Sequence, residues 1–461
     1  NGSKLSLPIG TFDSTTLINR RISRRRTLQV AGASAGALAL PTLFFRRGSA
    51  QAAKLQFWNF YGPGGTVKTQ SDWFETMAKS WNDQNETQVE LVFVPGNDYI
   101  NGTKLQTAFA SGEGPDIFLI SPGDFLRYYN GGVLADLTPY MEQAAIDDFF
   151  PDVLLSRQVD NKVYGLPMEV EPMAFYYDKT AFSDAGLSDS DIPQSWDQLV
   201  EVAQKLTSGD RFGVSFETGP GYYQNFTWYP FMWQGGAEMV KEDGKTSGLR
   251  DAGAVQALKL WQDVINNGSA PRKFLGTGGG DLAANLGAGY VAMQNCGIWG
   301  ISAMDNNAPD VDYGVFKLPI PDGGTDKPIA GGWAFVANAK GKDPETAAKF
   351  AVWALGSMAE DSVQRVVDWC IKAKSDMSPR KSASDAAVEQ GGYSEGALKT
   401  FHDDIAPSAR GEPRVTPEVY KAVSDAIQAT QLAGDDPQQA GEQAAQAIEA
   451  FMATYTGAPI L

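Results

Sequence analysis

The sequence predicts an α/β protein in which mostly parallel sheets are flanked by helices. Short apolar segments alternate with segments of helical spacing from Lys54 onward, which favours strands joined by crossover helices. Residues 116–120 form a nearly continuous apolar run, which is typical of a strand covered on both faces. A second alternation follows Met173. These three observations predict two α/β regions.

The first region contains three predicted strands and two predicted helices. The spacing of Trp73, Phe74, Met77 and Trp81 predicts the first helix, because it places these side chains on one helical face. The order strand–helix–strand–helix–strand favours parallel pairing. The predicted strands are 55–58, 89–94 and 116–120, and the predicted helices are 71–84 and 99–111.

The second region continues the same pattern. Pro193 and Ser195 are start signals for one helix, and Gly268 is an end signal for another. The predicted strands are 173–177, 212–216, 290–294, 313–318 and 333–337. The predicted helices are 196–206, 254–267, 344–355 and 360–368, followed by a helical stretch at 417–455.

Composition excludes several classes of protein. The chain has 461 residues and a net charge of −17, and residues after 52 carry 30 basic and 54 acidic side chains, a net charge of −24. Nucleic acid is a poor partner for so acidic a surface. The 409 residues after position 52 are enough for two or three domains.

The N-terminal segment is predicted to be an export signal. Residues 23–28 (SRRRTL) resemble the twin-arginine consensus, and an apolar run at 30–40 follows, too short for a permanent membrane span. Ala50 and Ala52 offer a small-x-small cleavage site. The alternatives are a membrane anchor or a disordered basic tail. We expect residues 1–52 to be removed and the protein to act in the periplasm. We expect no lipid anchor, because no cysteine comes directly after the apolar run.

The inventory of reactive side chains argues against catalysis and metal binding. The chain has one histidine, His402, and two cysteines, Cys296 and Cys370, in no paired motif. Their spacing leaves both a disulfide and two buried thiols open. The glycines at 276–280 fit no nucleotide-binding fingerprint. We therefore predict no catalytic residue, no metal and no cofactor.

Several sequence blocks occur in a familiar order. The chain resembles the family 1 extracellular solute-binding proteins of ABC importers, which include maltose and oligosaccharide receptors. The resemblance implies a type II periplasmic-binding-protein fold with two lobes and a ligand cleft at the hinge. It implies one lobe at 54–170 plus 317–375 and another at 171–316 plus 376–461, with crossings near Pro172, Phe316 and Asp376. The blocks are 114–118 (GPDIF), 132–140 (GVLADLTPY), 163–167 (VYGLP), 176–179 (YYDK), 193–199 (PQSWDQL), 289–293 (GYVAM) and 331–333 (GGW).

The candidate ligand-binding residues are aromatic and polar side chains at strand ends and in loops. Sugars have apolar faces and a rim of hydroxyl groups, so aromatic rings and planar polar groups suit them. The alternatives are a structural turn at Trp58, a helix cap at Asp124, core packing around Trp228 and a surface role for Arg380. The candidates are Trp58, Asn59, Tyr61, Asp124, Glu169, Tyr222, Trp228, Trp233, Trp299, Gly332, Trp333 and Arg380.

The resemblance implies a receptor that captures its ligand by closing at the hinge and passes it to the permease subunits of an importer. Aromatic residues favour a mono- or oligosaccharide as the ligand. The alternatives are a polyol, glycerol phosphate, a polyamine or an iron complex on the same fold, and a secreted enzyme. Glu169 and Glu171 resemble a glycosidase pair, but their spacing of two on an extended segment favours a binding or hinge role. We expect a monomer.

Overall fold

Twelve strands form the framework of the part of the chain that the structure describes. The computed structural model describes residues 54–100 and 103–460, so the predicted export signal lies outside the described residues. The strands are β1 (Lys54–Asn59), β2 (Gln88–Phe93), β3 (Ile117–Ile120), β4 (Gln158–Val159), β5 (Lys162–Val163), β6 (Leu166–Pro167), β7 (Glu171–Asp178), β8 (Met293–Gly297), β9 (Tyr313–Phe316), β10 (Ile329–Gly331), β11 (Ala334–Ala337) and β12 (Arg410–Gly411).

Helices cover the two main sheets, and β4 and β5 form a separate two-stranded sheet. None of them, among the residues described, is both long and apolar enough to cross a membrane. They are α1 (Lys68–Asn82), α2 (Gly96–Ile100), α3 (Thr103–Ser111), α4 (Pro122–Asn130), α5 (Gln143–Asp148), α6 (Pro151–Leu155), α7 (Lys179–Asp184), α8 (Trp196–Leu206), α9 (Tyr222–Gln234), α10 (Ala252–Asn266), α11 (Gly300–Asn307), α12 (Pro344–Leu355), α13 (Glu360–Asp368), α14 (Lys381–Glu389), α15 (Gly396–Thr400), α16 (Pro417–Gln428) and α17 (Pro437–Met452).

The first sheet has the strand order β2–β1–β3–β11–β6. Strands β1, β2 and β3 are parallel, as predicted, and β11 runs antiparallel to β3 and β6. All four residues of β3 are buried, which fits its apolar sequence and its position inside the sheet. This sheet and its helices form the first lobe.

The second sheet has the order β12–β10–β7–β8, and β9 also pairs with β7. Here the expectation of a mostly parallel sheet needs correction: β7 runs antiparallel to β8, β9 and β10. Parallel pairing in this sheet is limited, among the described residues, to the two-residue β10–β12 pair and to bridges from Phe212 and Ser215 to the region of β8. Strand β7 leaves the first lobe and β10 leads back to β11 of the first lobe, so these two neighbours run in opposite directions. Helices α8, α9, α10, α16 and α17 complete the second lobe.

Strand pairing bears on one of the crossings implied by the resemblance. Strand β10 pairs in the second sheet and β11 in the first, so we propose a crossing at Gly332 in place of the one expected near Phe316. Helix α14 packs on α13, and Arg380 binds Asp148 of the first lobe. We therefore propose that 317–331 belongs to the second lobe and that 376–389 belongs to the first.

The two cysteines are separate, buried thiols. Cys296 and Cys370 are unpaired and 0% exposed. Burial raises the pKa of Cys296 to about 12 and raises that of Cys370 as well, so both stay protonated at neutral pH.

We accordingly expect a reducing agent to leave the melting temperature of the purified protein unchanged within about 1 °C. A disulfide would instead contribute about 2–4 kcal/mol. A fall of several degrees on addition of reductant would contradict the unpaired state.

Candidate functional site

The lobes meet on both sides of the hinge. On one side, the Glu412 carboxylate of the second lobe accepts hydrogen bonds from the Gly123 N–H of the first lobe (3.0 Å) and from the Tyr222 hydroxyl (2.8 Å). On the other side, the Gln70 side chain of α1 donates to the Ser302 hydroxyl of α11 (3.2 Å). The lobes are therefore in contact across the predicted cleft.

Aromatic rings from both lobes lie close together where the lobes meet. Trp333 lies at the crossing between the sheets. Its ring centroid is 4.7 Å from that of Phe60 in the first lobe and 6.1 Å from that of Tyr222 in the second. Trp299, which follows β8, is half-buried and lies 6.0 Å from Tyr223. Local sequence explains these positions, because each Trp follows a strand end where the backbone leaves the sheet.

A buried ionic cluster lies at the hinge. The Lys374 ammonium lies 2.9 Å from the Glu169 carboxylate and 3.3 Å from that of Asp376, and it also contacts Glu171. The Tyr61 hydroxyl lies 2.7 Å from Lys374 Nζ. These five residues, the hinge cluster, are each at most 6% exposed. The Lys374 ammonium lies among the three carboxylates, where a metal ion would otherwise be bound.

Two further ionisable groups lie beside the cleft. Burial raises the pKa of Glu412 to about 8, even though Tyr222 and Gly123 donate to its carboxylate. Burial also lowers the pKa of the Arg157 guanidinium to about 10. Arg157 donates to the Gly332 carbonyl, so it supports the crossing between the sheets.

Comparison with known proteins decides the class. Residues 66–361 match the family described as bacterial extracellular solute-binding protein. The chain belongs to this family. A putative binding protein of Brucella abortus is 27% identical over 250 residues, covering 54% of this chain and 59% of that protein, so the matched part spans less than two thirds of that relative.

Two other solute-binding proteins match over more of their length. The galactooligosaccharide-binding protein of Bacillus subtilis is 24% identical over 386 residues, which is 82% of this chain and 86% of that protein. An ABC transporter solute-binding protein from Thermotoga lettingae, solved with alpha-D-tagatose, has a TM-score of 0.74 at 19% identity, covering 87% of this chain and 100% of that one. This structural similarity confirms the two-lobed type II fold.

The structure brings six of the predicted site residues of this solute-binding protein together at the cleft and hinge. Glu169 accepts hydrogen bonds from the Tyr61 hydroxyl and the Trp333 N–H, both at 3.2 Å. Gly332 has φ +130°, and a Cβ there would lie 2.3 Å from the Glu169 carbonyl oxygen, so glycine is required. The six are Tyr61, Glu169, Tyr222, Trp299, Gly332 and Trp333.

Asp124 and Asn59 lie nearby but bind other protein groups. The Asp124 carboxylate pairs with Arg127 (3.3 Å) in the first turns of α4 and keeps 20% side-chain exposure. The Asn59 side chain accepts from the backbone N–H groups of Tyr61 and Gly62, so it shapes the turn that carries Tyr61.

Four other predicted residues lie elsewhere in the fold. Trp228 and Trp233 are at most 1% exposed in the second-lobe core, and Arg380 is 0% exposed and bound to Asp148 (2.7 Å). Trp58 faces a separate groove of about 650 Å³ on the first lobe, where Lys104 lies over its ring. Ligand contact by these residues stays a prediction, and their positions offer no support for it.

Sequence reasoning did not single out Phe60, Lys374 and Glu412, which the structure places at the cleft and the hinge. Phe60 lies between two candidates, Asn59 and Tyr61, and proximity was a usable signal. Lys374 and Glu412 carried no signal, because a charged residue in a polar segment ordinarily indicates an exposed position. Their role depends on contacts more than 180 residues apart in the sequence.

Proposed function

We propose that this solute-binding protein captures an uncharged carbohydrate between its lobes and delivers it to the membrane subunits of an ABC importer. The observation that carries the proposal is the meeting of Phe60 and Trp333 with Tyr222 of the second lobe. Trp299 lies beside Tyr223 in the same lobe as Tyr222. Aromatic faces suit the apolar side of a pyranose ring, and hydroxyl groups need hydrogen-bonding partners at its edge.

The cations beside the cleft favour an uncharged ligand over a phosphate. Lys374 is surrounded by three carboxylates, Arg127 pairs with Asp124, and Arg157 donates to backbone carbonyls of Val153 and Gly332. A phosphate would have to displace one of these partners. Glycerol phosphate and other anionic solutes are therefore disfavoured.

The carboxyl groups of the hinge disfavour a polyamine and an enzymatic reaction. Glu169 and Glu171 both contact Lys374, so their charges are already balanced in part by the protein. A glycosidase needs two carboxyl groups that face the scissile bond from opposite sides. Here both side chains point to one ammonium, which supports a structural role at the hinge.

We further propose that the protein acts as a monomer in the periplasm. The family consists of extracellular binding proteins, and residues 23–28 resemble the twin-arginine export consensus. Closure of the cleft gives the importer a surface that differs from that of the open form.

A thermal-shift screen tests the proposed ligand class. We expect one or more neutral mono-, di- or trisaccharides to raise the melting temperature, because a ligand at 100 times its Kd stabilises the folded state by about 2.7 kcal/mol. Polyols, glycerol phosphate, spermidine and ferric chelates serve as comparison ligands. If one of these shifts the melt and no sugar does, the carbohydrate proposal is wrong.

A further inference from the structure

One buried carboxyl group lies between the lobes, beside the aromatic residues of the candidate site. Glu412 follows β12, and its backbone N–H donates to the Ala330 carbonyl of β10 (2.9 Å), so its backbone belongs to the second sheet. Its side chain is 3% exposed and accepts the Gly123 N–H of α4 in the first lobe (3.0 Å). This carboxyl group therefore joins the two lobes directly.

Hydrogen bonds hold the Glu412 carboxyl group from both lobes. Gly123 is the second residue of α4, and the first N–H groups of a helix have no acceptor within the helix. From the second lobe, the Tyr222 hydroxyl lies 2.8 Å from each of the two carboxyl oxygens. The Tyr222 ring lies 6.1 Å from that of Trp333. Glu412 thus fixes an aromatic residue of the candidate site and a helix of the other lobe together.

Two glycines leave the space that this carboxyl group occupies. A Cβ at Gly123 would lie 2.6 Å from Glu412 Oε1 and 2.8 Å from Tyr222 Cε2. A Cβ at Gly331 would lie 2.7 Å from the Phe226 ring and 3.3 Å from Glu412 Oε2. Such short contacts force neighbouring groups to move. A side chain at position 123 would therefore have to separate α4 from the second lobe at this point.

A second buried charge from the same segment also binds the first lobe. Arg414 is 4% exposed, and its guanidinium donates to the Gln158 carbonyl of β4. It also lies over the Phe125 ring of α4, at 5.7 Å from the ring centroid. The segment that follows β12 therefore contacts the first lobe at two separate points, through Glu412 and through Arg414.

We propose that Glu412 is a positioning residue for ligand capture, which holds the Tyr222 ring beside Trp333 and joins the second lobe to α4 in the arrangement that encloses the ligand. The inference rests on the proposed function for the kind of ligand, whereas the contact between the lobes does not depend on it. Gly123 and Tyr222 belong to different lobes, so the lobes cannot separate here without loss of a hydrogen bond to Glu412. A ligand held between them then dissociates more slowly.

Titration with the sugar that gives the largest shift in the thermal-shift screen tests the role in capture. Glu412→Ala should raise Kd about tenfold, because hydrogen bonds to a buried group are lost. Burial raises the pKa of Glu412 to about 8, so Glu412→Gln resembles the form that predominates at pH 7 and should keep most of the affinity. Tyr222→Phe should add little to Glu412→Ala, because both remove the same hydrogen bond. If Glu412→Ala keeps the Kd of the native protein, the inference is wrong.

Glu217→Ala is the matched control for Glu412→Ala. Glu217 is also a buried acid of the second lobe, at 8% exposure, but it accepts the N–H groups of Thr218, Gly219 and Gly279 within that lobe. This variant should lower the melting temperature and keep the Kd of the native protein. If both variants weaken binding equally, the effect of Glu412 is a general loss of stability and the inference is wrong.

Small-angle scattering of the ligand-free protein tests the joining of the lobes separately. Gly123→Ala should increase the radius of gyration, because its Cβ prevents Glu412 and Tyr222 from approaching α4. Gly96→Ala is the control, since a Cβ there would lie 4.0 Å from Ile100 Cδ1, an ordinary contact. If no sugar binds but Gly123→Ala alone expands the protein, the proposed function fails and the joining of the lobes by Glu412 stands. Equal radii for the native protein, Gly123→Ala and Glu412→Ala would overturn the inference.

Discussion

Replacement of Lys374 by methionine is expected to lower the free energy of unfolding by about 3–5 kcal/mol, as when one partner of a buried ion pair is removed. The Lys374 side chain is 3% exposed and lies among three carboxylates. Methionine has a similar length and leaves those acids without a cation. Because protonation relieves their repulsion, the loss should be smaller at pH 5 than at pH 8.

A matched control separates this effect from the loss of any lysine. Lys349 is 52% exposed and pairs with Glu345 one helical turn away, so Lys349→Met should change stability by less than about 0.5 kcal/mol. Thermal melts of both variants at pH 5 and pH 8 measure the difference. Equal losses for Lys374→Met and Lys349→Met would show that the hinge cluster does not stabilise the fold.

Replacement of Trp299 by alanine is expected to weaken sugar binding by about 100-fold or more. Trp299 follows β8 at the start of α11 and is half-buried, with its ring 6.0 Å from Tyr223 and 6.1 Å from Phe226. A ring that stacks on a ligand in a desolvated site contributes about 2–4 kcal/mol to binding. Its partial exposure implies that the unliganded melt changes little.

Trp353→Ala is the control for Trp299→Ala. Trp353 is also half-buried, but it packs against Trp81 and under Arg365 on the first lobe, away from the cleft residues. This variant should keep the Kd of the native protein. If titration shows equal Kd values for both variants, Trp299 does not contact the ligand.

Local sequence patterns predicted most elements of the fold. Residues 196–206 form a helix over the predicted range because a capping box at Ser195 and a regular apolar spacing agree. The apolar pattern also predicts a strand at 212–216, and in the structure residues 212–215 lie parallel to residues 290–295 and share backbone hydrogen bonds with them. The direction of the strands in the second sheet could not be predicted in the same way, because it depends on pairing between strands that are far apart in the sequence.

The candidate site was predictable where function coincides with a local signal. Trp333 follows two glycines at the end of β10, and Trp299 comes two residues after the end of β8. Trp228 shows the limit of composition, because an aromatic-rich helix can line a cleft or fill a core, and here this side chain is 0% exposed. The hinge cluster was not predictable, because its charged residues come from two segments that are far apart in the sequence, 169–171 and 374–376.

A crystal structure of the protein with the sugar selected by the thermal-shift screen would show where the ligand binds. We expect one sugar between the lobes, in contact with Trp299 and Trp333 and with hydroxyl groups directed toward the hinge. A sugar bound only in the groove beside Trp58 and Lys104, with the cleft between the lobes unchanged, would contradict it.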